Sequence, residues 1–223
     1  MDHEIRALSL YEGFFSGGAR ILHTDVLTGL HGRGQSHRVL SIHGRVYREA
    51  TLQWMRDDPS YRKLVAAGVQ VSALRGGDQD GAPVAPPDPA ARFDERELAL
   101  VRAEAALADV VLTLKEQPLR LVNQAGLRGP VITCLHRSDP QNQGAALDQL
   151  HAAVAAGRIA ALVCCAESTR GAYRAAGIPD ALLHVVPNGV DPRRFRPDAR
   201  ARARLRRELG VPADAPVVAF AAR

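Results

Sequence analysis

Short apolar runs alternate along this chain with segments whose apolar positions recur every three or four residues. An unbroken or alternating run fits a strand, and the longer period fits one face of a helix. Residues 5–10 predict a first strand, and residues 11–15 lead it into Ser16-Gly17-Gly18. Leu22, Val26 and Leu30 then predict the buried face of a helix, with Ser16 as its cap. Residues 39–42 read as a second strand, 54–67 as a helix ended by Gly68, and 69–74 as a third strand. The Gly-, Pro- and Asp-rich stretch 75–89 reads as a long surface loop.

The alternation continues. Helices are expected over 94–108 and 118–126, from Asp139-Pro140 onward with Leu147, Leu150 and Val154 on one face, and over 168–176. The strands between and after them fall at 110–114, 131–135, 159–165 and 182–186, about seven before residue 187. Apolar strands separated by helices imply an α/β fold, a Rossmann-like doubly wound parallel sheet with helices on both faces. The first domain is therefore assigned to residues 1–186. Pro187-Asn188-Gly189 is a turn, 193–198 is polar and extended, and 187–199 reads as a link between domains. Residues 200–209 form a basic helix closed by Gly210, and 215–222 begin another strand, so 200–223 reads as the start of a second domain.

Composition narrows the class. The chain has 223 residues, 46% of them hydrophobic, and its 29 basic and 24 acidic side chains leave a charge of +5. These values exclude disorder, collagen and coiled coil. The longest apolar run, 159–166, is far short of the ~20 residues of a spanning helix. The chain opens on acidic residues, so no secretory leader is expected, and a cytoplasmic location is. Cys134, Cys164 and Cys165 lie in apolar segments and read as reduced, buried thiols. Arginine supplies almost all the positive charge, Lys63 and Lys115 being the only lysines. That excess hints at anionic ligands.

Four features carry chemistry. The glycine pair Gly17-Gly18 falls where a strand turns into a helix, so bare amides and the positive helix end could face an anion, or form a plain tight turn. The dinucleotide spacing G-x-G-x-x-G is absent there. His136 follows a buried strand at its carboxyl end, where open parallel sheets place ligands. Its imidazole could donate to a sugar hydroxyl or move a proton, or simply cap the strand end. Asp78-Gln79-Asp80 spells a metal-binding D-x-D but reads as a solvated acidic loop. His31, His37 and His43 have no metal-like arrangement, so no metal is expected. The arginines of 200–207 run all round their helix and read as solvated, so no nucleic-acid partner is expected, and membrane association stays open with no basic stripe to support it.

The run from Val185 through Pro187, Asn188, Gly189, Asp191 and Phe195 to Pro197 resembles the V-P-N-G-V-D-x-x-x-F-x-P signature of GT-B glycosyltransferases of family 4. Other parts fall in the family's order. Gly17-Gly18-Ala19 resembles its G-G-A/x-E loop, 27–37 its L-x-x-x-G-H, His136 its T-x-H element, and 215–223 the first strand of its nucleotide-sugar domain. Departures are Arg20 for the family's glutamate, Arg137 after the histidine, Ala166 for a serine and Ala222 for a glycine.

The resemblance implies transfer of a sugar from a nucleotide-sugar donor to an acceptor hydroxyl, with retention and without cofactor or metal. Gly17, Gly18 and Arg223 would then hold the donor phosphates, with His136 as the catalytic contact to the donor sugar. Pro187, Asn188, Gly189 and Asp191 would form the interdomain hinge. The family's donor-site glutamates and lysine would fall beyond Arg223, so weak or absent activity is expected of this chain alone. The alternatives are a nucleotide-sugar epimerase of the same build and a non-catalytic binding module derived from a transferase domain.

Overall fold

The structure, a computed structural model, describes residues 4–15, 17–48, 51–76 and 92–220. The chain falls into two compact units, 1–188 and 189–223.

The first unit is built on one parallel sheet. Its strands are β1 (Arg6–Gly13), β2 (Ser36–His43), β5 (Gln70–Arg75), β6 (Val110–Leu114), β7 (Val131–Leu135), β8 (Ile159–Cys164) and β9 (Leu183–Val185), in spatial order β5-β2-β1-β6-β7-β8-β9. Every neighbouring pair is parallel. The chain starts at the centre, winds outward through β2 and β5, then crosses back to β6 and proceeds to the other edge. The order therefore reverses between β1 and β6. Both are buried on both faces, as a sheet covered by crossover helices requires.

Helices α1 (Gly18–His31) and α2 (Pro59–Ala66) lie against one core cluster, which contains Tyr11, Phe14, Leu27, Val39 and Leu64. Helices α3 (Glu95–Ala106), α4 (Leu119–Ala125) and α5 (Ala146–Ala155) cover a larger one, with Leu8, Leu10, Val101, Leu121 and Leu150. Helix α6 (Glu167–Ala175) adds Tyr173 to the larger cluster. Local chemistry sets the ends. Asp58 accepts from the Ser60 and Tyr61 amides at the start of α2, and Asp94 and Glu97 cap α3 reciprocally. Gly126, at φ 63°, closes α4 in the left-handed region.

Three sequence expectations are corrected here. Helix α1 buries Arg20, His23, Thr24 and Leu27, while Val26 is exposed. The polar residues win that face because they meet hydroxyls and rings of β1, not an aliphatic surface. The helix expected over 54–67 starts only at Pro59. Before it come an antiparallel ribbon, β3 (Arg45–Arg48) with β4 (Thr51–Trp54), and a single 3-10 turn over Met55–Asp57. Cation–π stacking of Arg45 and Arg56 on Trp54 holds that corner. Asp139-Pro140 opens another 3-10 turn, Pro140–Gln143, and Gly144 at φ 58° breaks it before α5 begins. The loop expected over 75–89, with Asp78 and Asp80, lies almost wholly outside the described residues.

In the second unit, Asp191 organises a turn by accepting from the Arg193 amide, and its carbonyl takes the Arg194 and Phe195 amides. The expected extension from Arg193 is thus a turn at its start. Helix α7 (Ala199–Glu208) is capped by Asp198. Arg206 is buried and donates to the Pro212 and Ala215 carbonyls, so it is not one of the solvated arginines expected there. Residues 216–220 form no strand; Val218 and Phe220 are 96% and 90% exposed. A strand exists only through a bonded neighbour, and the described residues of this unit offer none.

Candidate functional site

Parallel register brings three loops to one edge. Leu10 of β1 pairs with Thr113 of β6, and Thr113 with Thr133 of β7, the two threonine hydroxyls 2.9 Å apart. The chain leaves the sheet within a few residues of each strand: at Phe14 and Phe15 after β1, Lys115 to Gln117 after β6, His136 and Arg137 after β7; Ser16, the expected cap of α1, lies outside the described residues. This edge lies at the carboxyl ends and at the reversal of strand order, the position where open α/β sheets form a ligand crevice. Gly17, Gly18 and His136 therefore lie at the same edge of the sheet.

Gly17 is the N-terminal residue flanking α1, with extended backbone at φ 174°, and its carbonyl accepts from the Arg20 and Ile21 amides. The amides that precede these bonds, those of Gly18 and Ala19, have no carbonyl within the helix to bond and carry the positive end of its dipole. A Cβ at Gly17 or Gly18 would meet nothing within 4 Å. The packing of this chain thus leaves the space above both glycines open.

Beneath the loop, Arg20 fills the place of the family's glutamate. It is 6% exposed, stacks 4.1 Å from the Phe15 ring centroid and donates to the Phe15 carbonyl. Its role is to fasten the loop to the helix. His23, one turn on, meets the Tyr11 ring edge-on at 5.4 Å, and its Nε2 lies 3.4 Å from Ser9 Oγ. Burial, with His136, His37 and Arg20 adding to it, pushes the His23 imidazole down to about 3.

His136 is half-buried, and burial followed by the Lys115 charge holds its imidazole below the ordinary histidine value. Near neutral pH such a ring is uncharged and offers one donor and one acceptor, which suits a sugar hydroxyl.

Sequence reasoning missed the loop after β6. Lys115 has left-handed backbone, φ 67°, the only such non-glycine among the described residues. A long side chain holds that conformation at a cost of about 1–2 kcal/mol. Hydrogen bonds fix it: Thr113 Oγ1 donates to the Lys115 carbonyl at 2.9 Å, and the Lys115 amide donates to the Cys134 carbonyl at 3.0 Å. Burial, then Arg137 and Arg20, lower the Lys115 ammonium from its usual value. Next to it Glu116 is buried and accepts from Gln143 Nε2 at 2.9 Å, while Gln143 also donates to Tyr173 Oη. Burial raises the Glu116 carboxyl. The available signal was Lys115 itself, one of two lysines in an arginine-dominated chain, at the end of an expected strand.

A cavity of about 220 Å3 opens at this edge between Glu12, Gln117, Arg120, Gln143 and Gln149. A larger one, about 370 Å3, lies at the opposite edge beside Asp109, Gly129 and Pro130. It adjoins the amino ends of β6 and β7, away from every group described above, so the smaller cavity is the relevant one.

Of the other expected site residues, Pro187 and Asn188 end the first unit, and Gly189 and Asp191 begin the second. Arg223 lies outside the described residues. The cysteines are free thiols, Cys164 buried and Cys134 and Cys165 half-buried. Burial pushes Cys134 and Cys164 up to about 11, so neither is a poised nucleophile. Among the described residues no helix is long and apolar enough to cross a membrane.

Comparison with known proteins places this geometry. The sequence profile of glycosyltransferase family 4 matches residues 16–194. A D-inositol 3-phosphate glycosyltransferase of Saccharomonospora viridis is 62% identical over 45 residues, 20% of this chain and 10% of that protein. One of the same description from Xylanimonas cellulosilytica is 51% identical over 45 residues, 18% of this chain and 11% of that protein. The crystal structure of Anabaena Alr3699/HepE in complex with UDP superposes with a TM-score of 0.67 at 18% identity, covering 92% of this chain and 50% of that one. A glycosyltransferase from Rickettsia africae gives 0.56 at 13% identity, covering 96% and 52%. The chain thus spans about half the length of these solved structures and about a tenth of the curated relatives. Its fold matches half of these structures, and by the profile match over 16–194 the chain belongs to glycosyltransferase family 4.

Proposed function

We propose that this chain supplies the acceptor-side half of an enzyme that moves a sugar from a nucleotide-sugar to an acceptor hydroxyl. The observation that supports the reading is that Gly17, Gly18 and His136 follow strands at one carboxyl edge of the sheet, inside the stretch that matches the family. The open amides of the α1 first turn face the donor diphosphate, whose negative charge grows as the sugar departs. Donors already aimed at that charge stabilise the transition state more than the ground state. The uncharged His136 ring hydrogen-bonds the donor sugar and holds it for attack by the acceptor hydroxyl.

Transfer proceeds with retention and without a bound metal, the leaving phosphate being neutralised by backbone amides and by Arg223. Residues 187–199 serve as the hinge about which two domains close over the substrates. The UDP and UDP-glucose complexes of the Anabaena protein favour a uridine nucleotide as donor.

The test is His136→Ala in a version of the protein that carries the donor-binding half. Turnover is expected to fall about 100-fold, the usual scale for a positioned hydrogen-bonding group in transfer chemistry. Folding, followed by circular dichroism, stays intact. A variant that turns over at the wild-type rate removes His136 from the mechanism and the carboxyl edge from consideration as the active site.

A further inference from the structure

Two glycines in succession leave the start of α1 with little side-chain anchorage. Gly17 makes no side-chain cap on the helix, and a Cβ at Gly17 or Gly18 would meet nothing within 4 Å. Glycine also has the most backbone freedom to lose when a segment is ordered. Arg20 grips this segment twice. Its amide donates to the Gly17 carbonyl at 3.1 Å, and its Nη1 donates to the Phe15 carbonyl. One residue thus holds the chain on both sides of position 16.

The guanidinium is itself held in place. It stacks 4.1 Å from the Phe15 ring centroid and lies 5.8 Å from those of Tyr11 and Phe14. For the helix alone, arginine is a poor choice at this third position. Glutamate or glutamine is favoured there, because its side chain reaches back to the amide that precedes the helix, and a cation opposes the positive helix end. The first turn of α1 contains no acidic residue to offset that charge. A carboxylate cannot donate to the Phe15 carbonyl, whereas a guanidinium can. The side chain therefore serves the loop rather than the helix, and it brings positive charge to the end of α1 where the Gly18 and Ala19 amides lie.

We propose that Arg20 is a positioning residue: it fixes Phe15 and Gly17 before substrate arrives, so that the amides at the start of α1 are already aimed at the donor diphosphate. The inference rests on the reading of the chain as half of a glycosyltransferase. It adds to that reading a residue that acts through the loop, without touching the phosphates. A loop ordered in advance spares the substrate the entropy of ordering it on binding.

The test is calorimetric titration with UDP and with uridine of a version of the protein that carries the donor-binding half, as wild type and as Arg20→Met, Arg20→Glu and Arg20→Lys. Methionine keeps apolar bulk among the three rings but donates no hydrogen bond, and glutamate restores the family's residue. Lysine keeps the charge and a donor on a flexible stem. The wild type is expected to bind UDP more tightly than uridine. Arg20→Met and Arg20→Glu each lose about tenfold in UDP affinity, the scale of ordering one residue of backbone. Arg20→Lys recovers most of that loss, and uridine binds all four alike. A merely structural defect lowers the fraction of protein that binds, read as stoichiometry, and leaves the affinity for UDP unchanged. Unchanged UDP affinity in Arg20→Met, full affinity in Arg20→Glu, an equal loss for uridine, or a wild type without preference for UDP each overturns the proposal. The glycosyltransferase reading is judged separately by His136→Ala turnover, so a protein that passes there and fails here loses only the role of Arg20.

Discussion

At the scale of single residues, His23 sets a pH limit on the fold. Its imidazole is nearly out of contact with solvent, and burial lowers it to about 3 from an ordinary value near 6.5. Such a group contributes its full stability above the unfolded value and loses it as pH falls from there toward the folded one. The loss runs at about 1.4 kcal/mol per pH unit, or about 2 kcal/mol by pH 5. His43, lowered to about 4 chiefly by burial, acts over the upper part of the same window. Urea unfolding at pH 7 and pH 5 is expected to show the wild type losing about 2 kcal/mol more than His23→Gln, which takes up no proton. Equal losses in the two proteins would remove His23 as the cause.

At the scale of elements, the ribbon of β3 and β4 leaves the sheet at one tight crossing. The Gly44 amide donates to the Arg75 carbonyl at 2.7 Å, and its carbonyl accepts from the Met55 amide at 2.8 Å. A Cβ at Gly44 would lie 2.5 Å from the Gly76 carbonyl oxygen and 3.2 Å from Ala73 Cβ. Backbone cannot step aside as a flexible side chain would. Gly44→Ala is thus expected to cost about 1–3 kcal/mol in urea unfolding, the range for overpacking. An unchanged midpoint would show that the crossing yields.

The main sheet was legible from sequence because its strands are short apolar runs with turn residues at their ends, and β6 and β7 match the expected bounds. The ribbon was not. Its strands are only four residues long, β3 buries a single apolar side chain, Val46, and the stacking that holds Trp54 is invisible to periodicity. The face of α1 was misread for a related reason: Arg20, His23 and Thr24 look like solvent residues until the hydroxyl of Ser9 and the ring of Tyr11 are placed beneath them. His136 was found by its position at a strand end. Lys115 occupied the same kind of position, but its importance lies in a backbone conformation that composition does not encode.

At the scale of the whole molecule, the first unit presents one chemically furnished edge, and the chain spans about half the length of the solved structures it resembles. We therefore expect residues 1–223 alone to convert a nucleotide-sugar weakly or not at all. Chromatographic detection of released nucleotide, with and without an acceptor mixture, measures this. Release well above the uncatalysed background would show that the carboxyl edge works unaided.

The loops after β1, β6 and β7 hang from adjacent, hydrogen-bonded strands, whereas β3 and β4 bond only to each other. Changes on the exposed side of the ribbon can accumulate without disturbing the spacing of the groups fixed to the sheet, whereas Val46 is buried over Gly13 of β1. Exchanging the ribbon's exposed side chains, Tyr47 and Leu52, is thus expected to leave the groups fixed to the sheet where they are.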